Sequence, residues 1–364
     1  MSDKYRIDSH KLIYHPGRVS QWMQSGDDWE KAKKVYPIYI EISPVGYCNH
    51  RCTFCALDFM EYKNVKLETE ILIDRLSEMA DAGVKSVMFA GEGEPTLHKD
   101  LPEILDHCTK VGIDTSLTTN MVPFTEKNTE NFVKNCKWIK VSINAGTPEN
   151  YAEIHRCDEK DFDRVIENMR RCVSLKKEKG YKCTIGGQIL LVSDNYHTVL
   201  DLAKAVKDAG LDYLVIKPYS QHYSSKTSKY KDIDYSEYLY LNEELKKFNS
   251  ETFNVVFRLN TINKLIENPD RYKKCLSVPF FWAYVEANGD VYGCSAFLGD
   301  EKFSYGNINE SGFKEIWESG KRKEGLKYIE SGLDIKECRI NCRMDEINRY
   351  LWELKNPNDH VNFI

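Results

Sequence analysis

The sequence predicts an α/β protein: a partial (β/α)6 barrel of TIM type followed by a smaller C-terminal unit. Three observations carry this prediction. Between residues 38 and 217, short β-branched and apolar runs alternate with segments whose apolar residues recur at helical spacing, the pattern of consecutive βαβ units. Glycines stand where those helices should stop. After Lys217 the period is lost, and a hairpin pattern takes over near residue 283.

In chain order, residues 1–35 are polar and aromatic without a continuous apolar stretch of secretory type, and read as an N-terminal extension. Strands are expected at 38–43, 84–90, 113–119, 138–143, 183–192 and 211–217. Leu67, Ile71, Leu72, Leu76 and Met79 share one helical face after the first strand. Phe162, Val165, Ile166, Met169 and Val173 do so before the fifth, and Val199, Leu202, Ala203 and Val206 before the sixth. Gly83 and Gly210 sit just past helix ends, and Thr125 fits an N-cap. Residues 36–220 are therefore expected to form the barrel core, with chemistry at the carboxyl ends of its strands. Residues 221–254 read as a loop or lid with a helix near 239–248. Residues 255–364 form the C-terminal unit, whose hairpin, 283–286 and 291–293, turns through Asn288-Gly289-Asp290.

The 364 residues, 41% of them hydrophobic and 29% charged, suffice for a proper buried core. Lys and Arg total 51 against 56 Asp and Glu, and a net charge of -5 gives no global attraction to nucleic acid or an anionic membrane, so neither is an expected partner. No apolar run approaches the ~20 residues that span a bilayer. The chain is expected to be soluble and cytoplasmic. Twelve cysteines in a reducing compartment argue against a disulfide framework and for metal or redox chemistry.

The cysteines form two groups. Cys48-Asn49-His50-Arg51-Cys52-Thr53-Phe54-Cys55 sets three thiols at C-x3-C-x2-C directly after the first strand. Three thiolates from one short loop can hold three irons of a [4Fe-4S] cube and leave the fourth open to a non-protein ligand. A zinc site, which usually seeks four protein ligands, and three unrelated buried thiols are the competing readings. Cys275, Cys294, Cys338 and Cys342 can close a second [4Fe-4S] cluster completely, with zinc again the rival. Cys108, Cys136, Cys157, Cys172 and Cys183 have no ligand spacing and read as small buried hydrophobes.

The first cysteine motif, its place after strand one and the aromatic Phe54 before its third cysteine resemble the radical S-adenosylmethionine (radical SAM) superfamily. Gly91-Glu92-Gly93-Glu94-Pro95 is similar to that family's GGE-type motif, and Asn120 and Ser142 to strand-end residues that touch SAM. Arg156 is similar to a position that helps hold the SAM carboxylate, its bland reading being a surface salt bridge. The resemblance implies SAM chelated to the open iron and cleaved by an electron from the cluster to a 5'-deoxyadenosyl radical. It also implies a flavodoxin- or ferredoxin-type reductant.

The C-terminal cysteines, with Tyr305-Gly306-Asn307-Ile308 and Trp317, resemble the SPASM/twitch extension of radical SAM enzymes, with fewer cysteines than the full SPASM form. They look most like the twitch region of 2-deoxy-scyllo-inosamine dehydrogenases. That resemblance implies oxidation of a carbinol carbon of a small polyol, amino sugar or nucleotide sugar, with the auxiliary cluster as electron acceptor. Lys217, Gln221 and His222, near strand six, are candidate bases or substrate binders. Cys157 is a candidate hydrogen-atom donor if the reaction is an epimerisation. Maturation of a ribosomal peptide is the alternative within enzymes, because many SPASM relatives act on peptides. The brevity of residues 1–35, too short for a winged-helix peptide-recognition domain, favours a small substrate. An iron-sulfur or zinc protein without turnover is the remaining reading.

Overall fold

The computed structural model describes residues 4–363, so residues 1–3 of the N-terminal extension lie outside the described residues. Strands β1 (Tyr39–Ile42), β2 (Ser86–Phe89), β3 (Asp114–Thr119), β4 (Cys136–Ser142), β5 (Thr184–Leu191) and β6 (Tyr213–Pro218) pair in sequence order and all run parallel. Each lies within two residues of its expected bounds. The partial barrel is present, and it carries more strands than the six read from the sequence. β7 (Asn254–Phe257) pairs parallel to β6, and β8 (Trp282–Val285) pairs parallel to β1. β9 (Asp290–Tyr292) and β10 (Ser304–Asn307) continue from β8 antiparallel. The order is β10-β9-β8-β1-β2-β3-β4-β5-β6-β7, so β7 and β8 are not bonded to each other and the barrel stays open between them.

The strands alternate two environments. Ile40 and Ile42 of β1, Ile139 and Val141 of β4 and Leu214 and Ile216 of β6 pack outward with the helices in one hydrophobic core. Residues of the other parity face the lumen, where Tyr39 and Glu41, Trp138 and Lys140, and Val215 and Lys217 line one cavity. The helix Thr69–Asp81 buries Leu72, Leu76 and Met79, and Val199–Asp208 buries Leu202, Ala203 and Val206. Gly83 and Gly210 follow their helices at φ +86° and +83°, a conformation that costs glycine nothing. Thr125 caps the helix Glu126–Asn135, its N–H donating to Asn128 Oδ1 at 2.8 Å.

The N-terminal extension is part of the barrel. Val19, Trp22 and Val35 pack on Phe280, Phe281 and Leu351, while Tyr5 and Ile7 pack on Tyr213, Val215 and Val256 at the amino end of the lumen. Asp8 accepts from Arg258 Nε at 3.1 Å and from Thr261 Oγ1 at 2.8 Å, tying the segment to the end of β7.

In the C-terminal unit, Arg322 is fully buried on the helix Gly320–Ser331. Its guanidinium donates to Pro279 O at 2.7 and 3.1 Å and to Trp317 O at 2.7 Å, and lies over the Trp317 ring. Arg322→Ala leaves two buried carbonyls without donors and is expected to cost about 3 kcal/mol of stability. Chemical denaturation tests this, and a loss under about 1 kcal/mol contradicts it. Among the described residues, no helix is long and apolar enough to cross a membrane.

Candidate active site at the mouth of the barrel

The loop leaving β1 carries Cys48, Cys52 and Cys55, all half-buried, into a cavity of about 350 Å³ at the carboxyl ends of the strands. Phe54, Gly91 to Glu94, Asn120, Ser142 and Lys217 line the same cavity, so most of the predicted cofactor-site residues are drawn together. Burial pushes the Cys48 thiol up to about 12, with Glu94 adding to the shift. Cys52 is raised further, by burial first and then by Cys55 and Cys48, each of which opposes its ionisation. A multivalent metal centre held by the three sulfurs removes that opposition, so the donor set fits an iron-sulfur cluster.

The strand-end motifs brace this loop. Glu94 is 3% exposed, and its carboxylate accepts from Thr96 Oγ1 and Thr119 Oγ1 at 2.6 Å, Asn120 N at 2.7 Å and Thr96 N at 3.2 Å. The loops after β2 and β3 thus supply four donors to it, three on Oε1 and one on Oε2. A Cβ on Gly93 would meet Tyr47 O at 2.1 Å, and one on Gly91 would meet Ser43 Cβ at 2.5 Å. These glycines let the β2 loop seat against the cysteine loop. Glu92 accepts from Ala287 N at 3.1 Å, joining the mouth to the β8–β9 hairpin, and burial raises it to about 7. Asn120 Nδ2 donates to Asn49 Oδ1 at 2.8 Å, between the first two cysteines.

Arg156 does not enter the cavity. The helix Pro148–His155 ends on it in the left-handed conformation, φ +52°, and Arg156 is exposed. The residue that turns inward is its neighbour His155, 1% exposed, with Nδ1 at 3.1 Å from Cys52 Sγ. Its Nε2 lies 3.4 Å from Asn144 N, a donor, which fixes the proton on Nδ1 toward the sulfur. Cys157 lies behind the loop with His50 and Asp161 rather than on the lumen wall, and burial with Asp161 and Asp158 raises it to about 12.

Below the mouth the barrel lumen is a cavity of about 500 Å³. Lys217 lines both spaces and is pushed well below its ordinary pKa by burial, then by Arg258 and Lys140. Gln221 and His222 are differently employed. Gln221 Nε2 donates to Thr227 O at 2.8 Å and to His222 O at 3.2 Å, within its own loop. His222 has both ring nitrogens in use, Nε2 at 3.0 Å from Ser295 O and Nδ1 accepting from Ser224 N at 3.1 Å, and its ring stacks on Phe59. It clamps the loop after β6 to the residue following Cys294. His222 also lines the lumen, together with Glu41, Lys140, Gln188, Arg258, Arg339 and Arg343, which the sequence did not single out.

The second cysteine group also converges. Cys275, Cys294, Cys338 and Cys342 line one pocket otherwise walled mostly by apolar side chains such as Val278, Phe297, Phe303 and Leu333. Asn348 Nδ2 donates to Cys275 Sγ at 3.5 Å, and Met344 N to Cys342 Sγ at 3.4 Å. Burial raises Cys294 strongly, with Cys342 and Cys275 adding to it. Four thiols in a mostly apolar pocket fit a fully ligated metal centre by the same reasoning. Arg339 lines this pocket, the lumen and the mouth alike.

Comparison with known proteins identifies two domains. The radical SAM superfamily model matches residues 42–206, and the SPASM iron-sulfur cluster-binding model matches residues 275–343, which contain all four second-site cysteines. A GTP 3',8-cyclase of Aquifex aeolicus is 33% identical over 179 residues, 47% of this chain and 53% of that protein. An S-adenosylmethionine-dependent nucleotide dehydratase of Lacinutrix mariniflava is 34% identical over 118 residues, 30% of this chain and 24% of that protein. The chain thus spans about half, or less, of the length of these curated relatives. Streptococcus suis SuiB, solved with its precursor peptide SuiA, shares the fold at TM-score 0.64 and 22% identity, covering 84% of this chain and 70% of SuiB. The cofactors that accompany these two domains are S-adenosylmethionine, a [4Fe-4S] cluster and auxiliary iron-sulfur centres.

Proposed function

We propose that this chain, which carries a radical SAM domain and a SPASM iron-sulfur domain, is an oxidoreductase that converts a carbinol carbon of a small hydroxylated substrate to a carbonyl. The observation that carries this reading is continuity. Arg339 lines the three-cysteine mouth, the lumen and the four-cysteine pocket, so this one side chain would border a substrate in the lumen and both candidate metal sites.

Cys48, Cys52 and Cys55 would hold the SAM-binding cluster, and Cys275, Cys294, Cys338 and Cys342 the auxiliary one. When bound, these groups supply a hydrogen-abstracting 5'-deoxyadenosyl radical and an acceptor for the substrate's remaining electron. The substrate's hydroxyl proton would leave to solvent at the mouth, and Lys217, which lines both the mouth and the lumen, would serve as a substrate-binding group. Oxidation is preferred to epimerisation because Cys157 does not line the lumen. The names of the cyclase and the dehydratase support a small nucleotide-type substrate, in line with a polyol, amino sugar or nucleotide sugar. A flavodoxin- or ferredoxin-type reductant and a cytoplasmic location belong to the same proposal.

The test is deuterium transfer. The reduced protein is given SAM and a panel of polyols, amino sugars and nucleotide sugars deuterated at their carbinol carbons. Deuterium is expected in 5'-deoxyadenosine with one class of these compounds. Transfer only from a labelled peptide would replace the small substrate by a peptide, and no 5'-deoxyadenosine at all would remove the radical reading.

A further inference from the structure

Resting on that reading, we infer that the substrate carries a phosphate or diphosphate group, held in the barrel lumen by Lys140, Lys217 and Arg339 and flanked by Arg258 and Arg343. Among the described residues, seven Lys and Arg side chains line the lumen cavity and Glu41 is its single carboxylate. The chain as a whole has a net charge of -5, so this is a local concentration of charge.

The five named cations come from separate elements. Lys140 stands on β4, Lys217 on β6, Arg258 just past β7, and Arg339 and Arg343 on the segment around the last two cysteines. Two of them are already neutralised. Arg343 donates to Glu41 and to Tyr39 Oη, and Arg258 Nε donates to Asp8. For Lys140, Lys217 and Arg339, no carboxylate lies within ion-pair distance among the described residues. Arg339 Nε is buried without a partner, and its Nη1 reaches only Ser220 Oγ, at 3.4 Å.

Unpaired cations gathered in a low-dielectric space repel one another and lose hydration, a cost that a dedicated anion offsets. The two lysines register this strain: burial, followed by neighbouring cations, pushes Lys140 down to about 8 and Lys217 well below its ordinary range. Three uncompensated cations exceed what one carboxylate can balance. They match a phosphate or diphosphate ester, which offers more charge and more acceptor oxygens to ammonium and guanidinium donors. Lys140, Lys217 and Arg339 also line the cysteine mouth, so a phosphate anchored there leaves the rest of the molecule to extend toward the site of hydrogen abstraction.

The probe is inorganic pyrophosphate, titrated calorimetrically into the cluster-loaded protein with SAM present. Wild-type protein is expected to bind it, and Lys140→Gln and Lys217→Gln are each expected to weaken binding roughly ten- to a hundredfold. Removing either lysine relieves repulsion, so without pyrophosphate both variants should unfold at or above the wild-type temperature, which separates lost binding from lost fold. Absence of pyrophosphate binding to the wild type, or equal binding by the variants, overturns the inference. Formation of 5'-deoxyadenosine by the same reduced wild-type preparation is measured alongside. If it is formed while pyrophosphate fails to bind, the anion site alone is wrong; if it is not formed, the radical reading fails first.

Discussion

Cys52→Ala is expected to reduce S-adenosylmethionine cleavage to background. Cys52 is the middle sulfur of the C-x3-C-x2-C loop, and the only one of the three within hydrogen-bond distance of an imidazole, with His155 Nδ1 at 3.1 Å. The two remaining thiols cannot complete a three-sulfur set, and among the described residues no other cysteine lines the mouth. His155 would be left with its proton aimed at a methyl group. The assay is 5'-deoxyadenosine release from the anaerobically reduced variant, and a wild-type rate would refute the assignment of the loop.

Glu94→Ala is expected to have the next largest effect, although Glu94 makes no metal contact in this account. Its carboxylate gathers donors from Thr96, Thr119 and Asn120 in a site 3% exposed. Removing it strands several buried donors at about 1–3 kcal/mol each, of which local relaxation recovers part, for an expected loss of about 4 kcal/mol. The loops after β2 and β3 then lose the brace that seats them on the cysteine loop, and SAM affinity is expected to fall by more than about tenfold, the equivalent of 1.4 kcal/mol. Calorimetric titration of SAM and chemical denaturation read the two effects. A variant that binds SAM and unfolds as the wild type does would show that the brace is dispensable.

What the sequence disclosed follows from how local each signal is. The six strands of the βα series each carry their own apolar run, and all lie within two residues of their expected bounds. β7 is only four residues long after an irregular segment. β8 reads as half of a hairpin, because its parallel pairing with β1 joins positions more than 240 residues apart. The three-cysteine loop is legible because its ligands are adjacent in the chain. Arg156 and His155 show the opposite case. Which of the two turns inward depends on the residue at which the helix Pro148–His155 stops, and a single left-handed residue decides it.

Lys217 was named for its place near strand six, whereas Lys140 escaped although the sequence does contain a signal. Tyr39 and Glu41 in β1, Trp138, Lys140 and Ser142 in β4, and Lys217 in β6 stand at alternate positions of strands otherwise apolar. In a barrel covered by helices, that alternation marks the side facing inward. Gln221 and His222 were named for their place after strand six. Hydrogen bonds that no periodicity reports employ them as supports, Gln221 within its own loop and His222 across to Ser295.

The measurement that tests the central claim most directly is the iron, sulfide and zinc content of anaerobically purified protein, beside a variant with Cys48, Cys52 and Cys55 all changed to alanine. Two four-iron clusters predict about eight irons per chain, falling to about four in the variant, with zinc negligible in both. Zinc in the wild type, or iron that does not depend on those three cysteines, would contradict the account of the mouth as a SAM-binding iron-sulfur site.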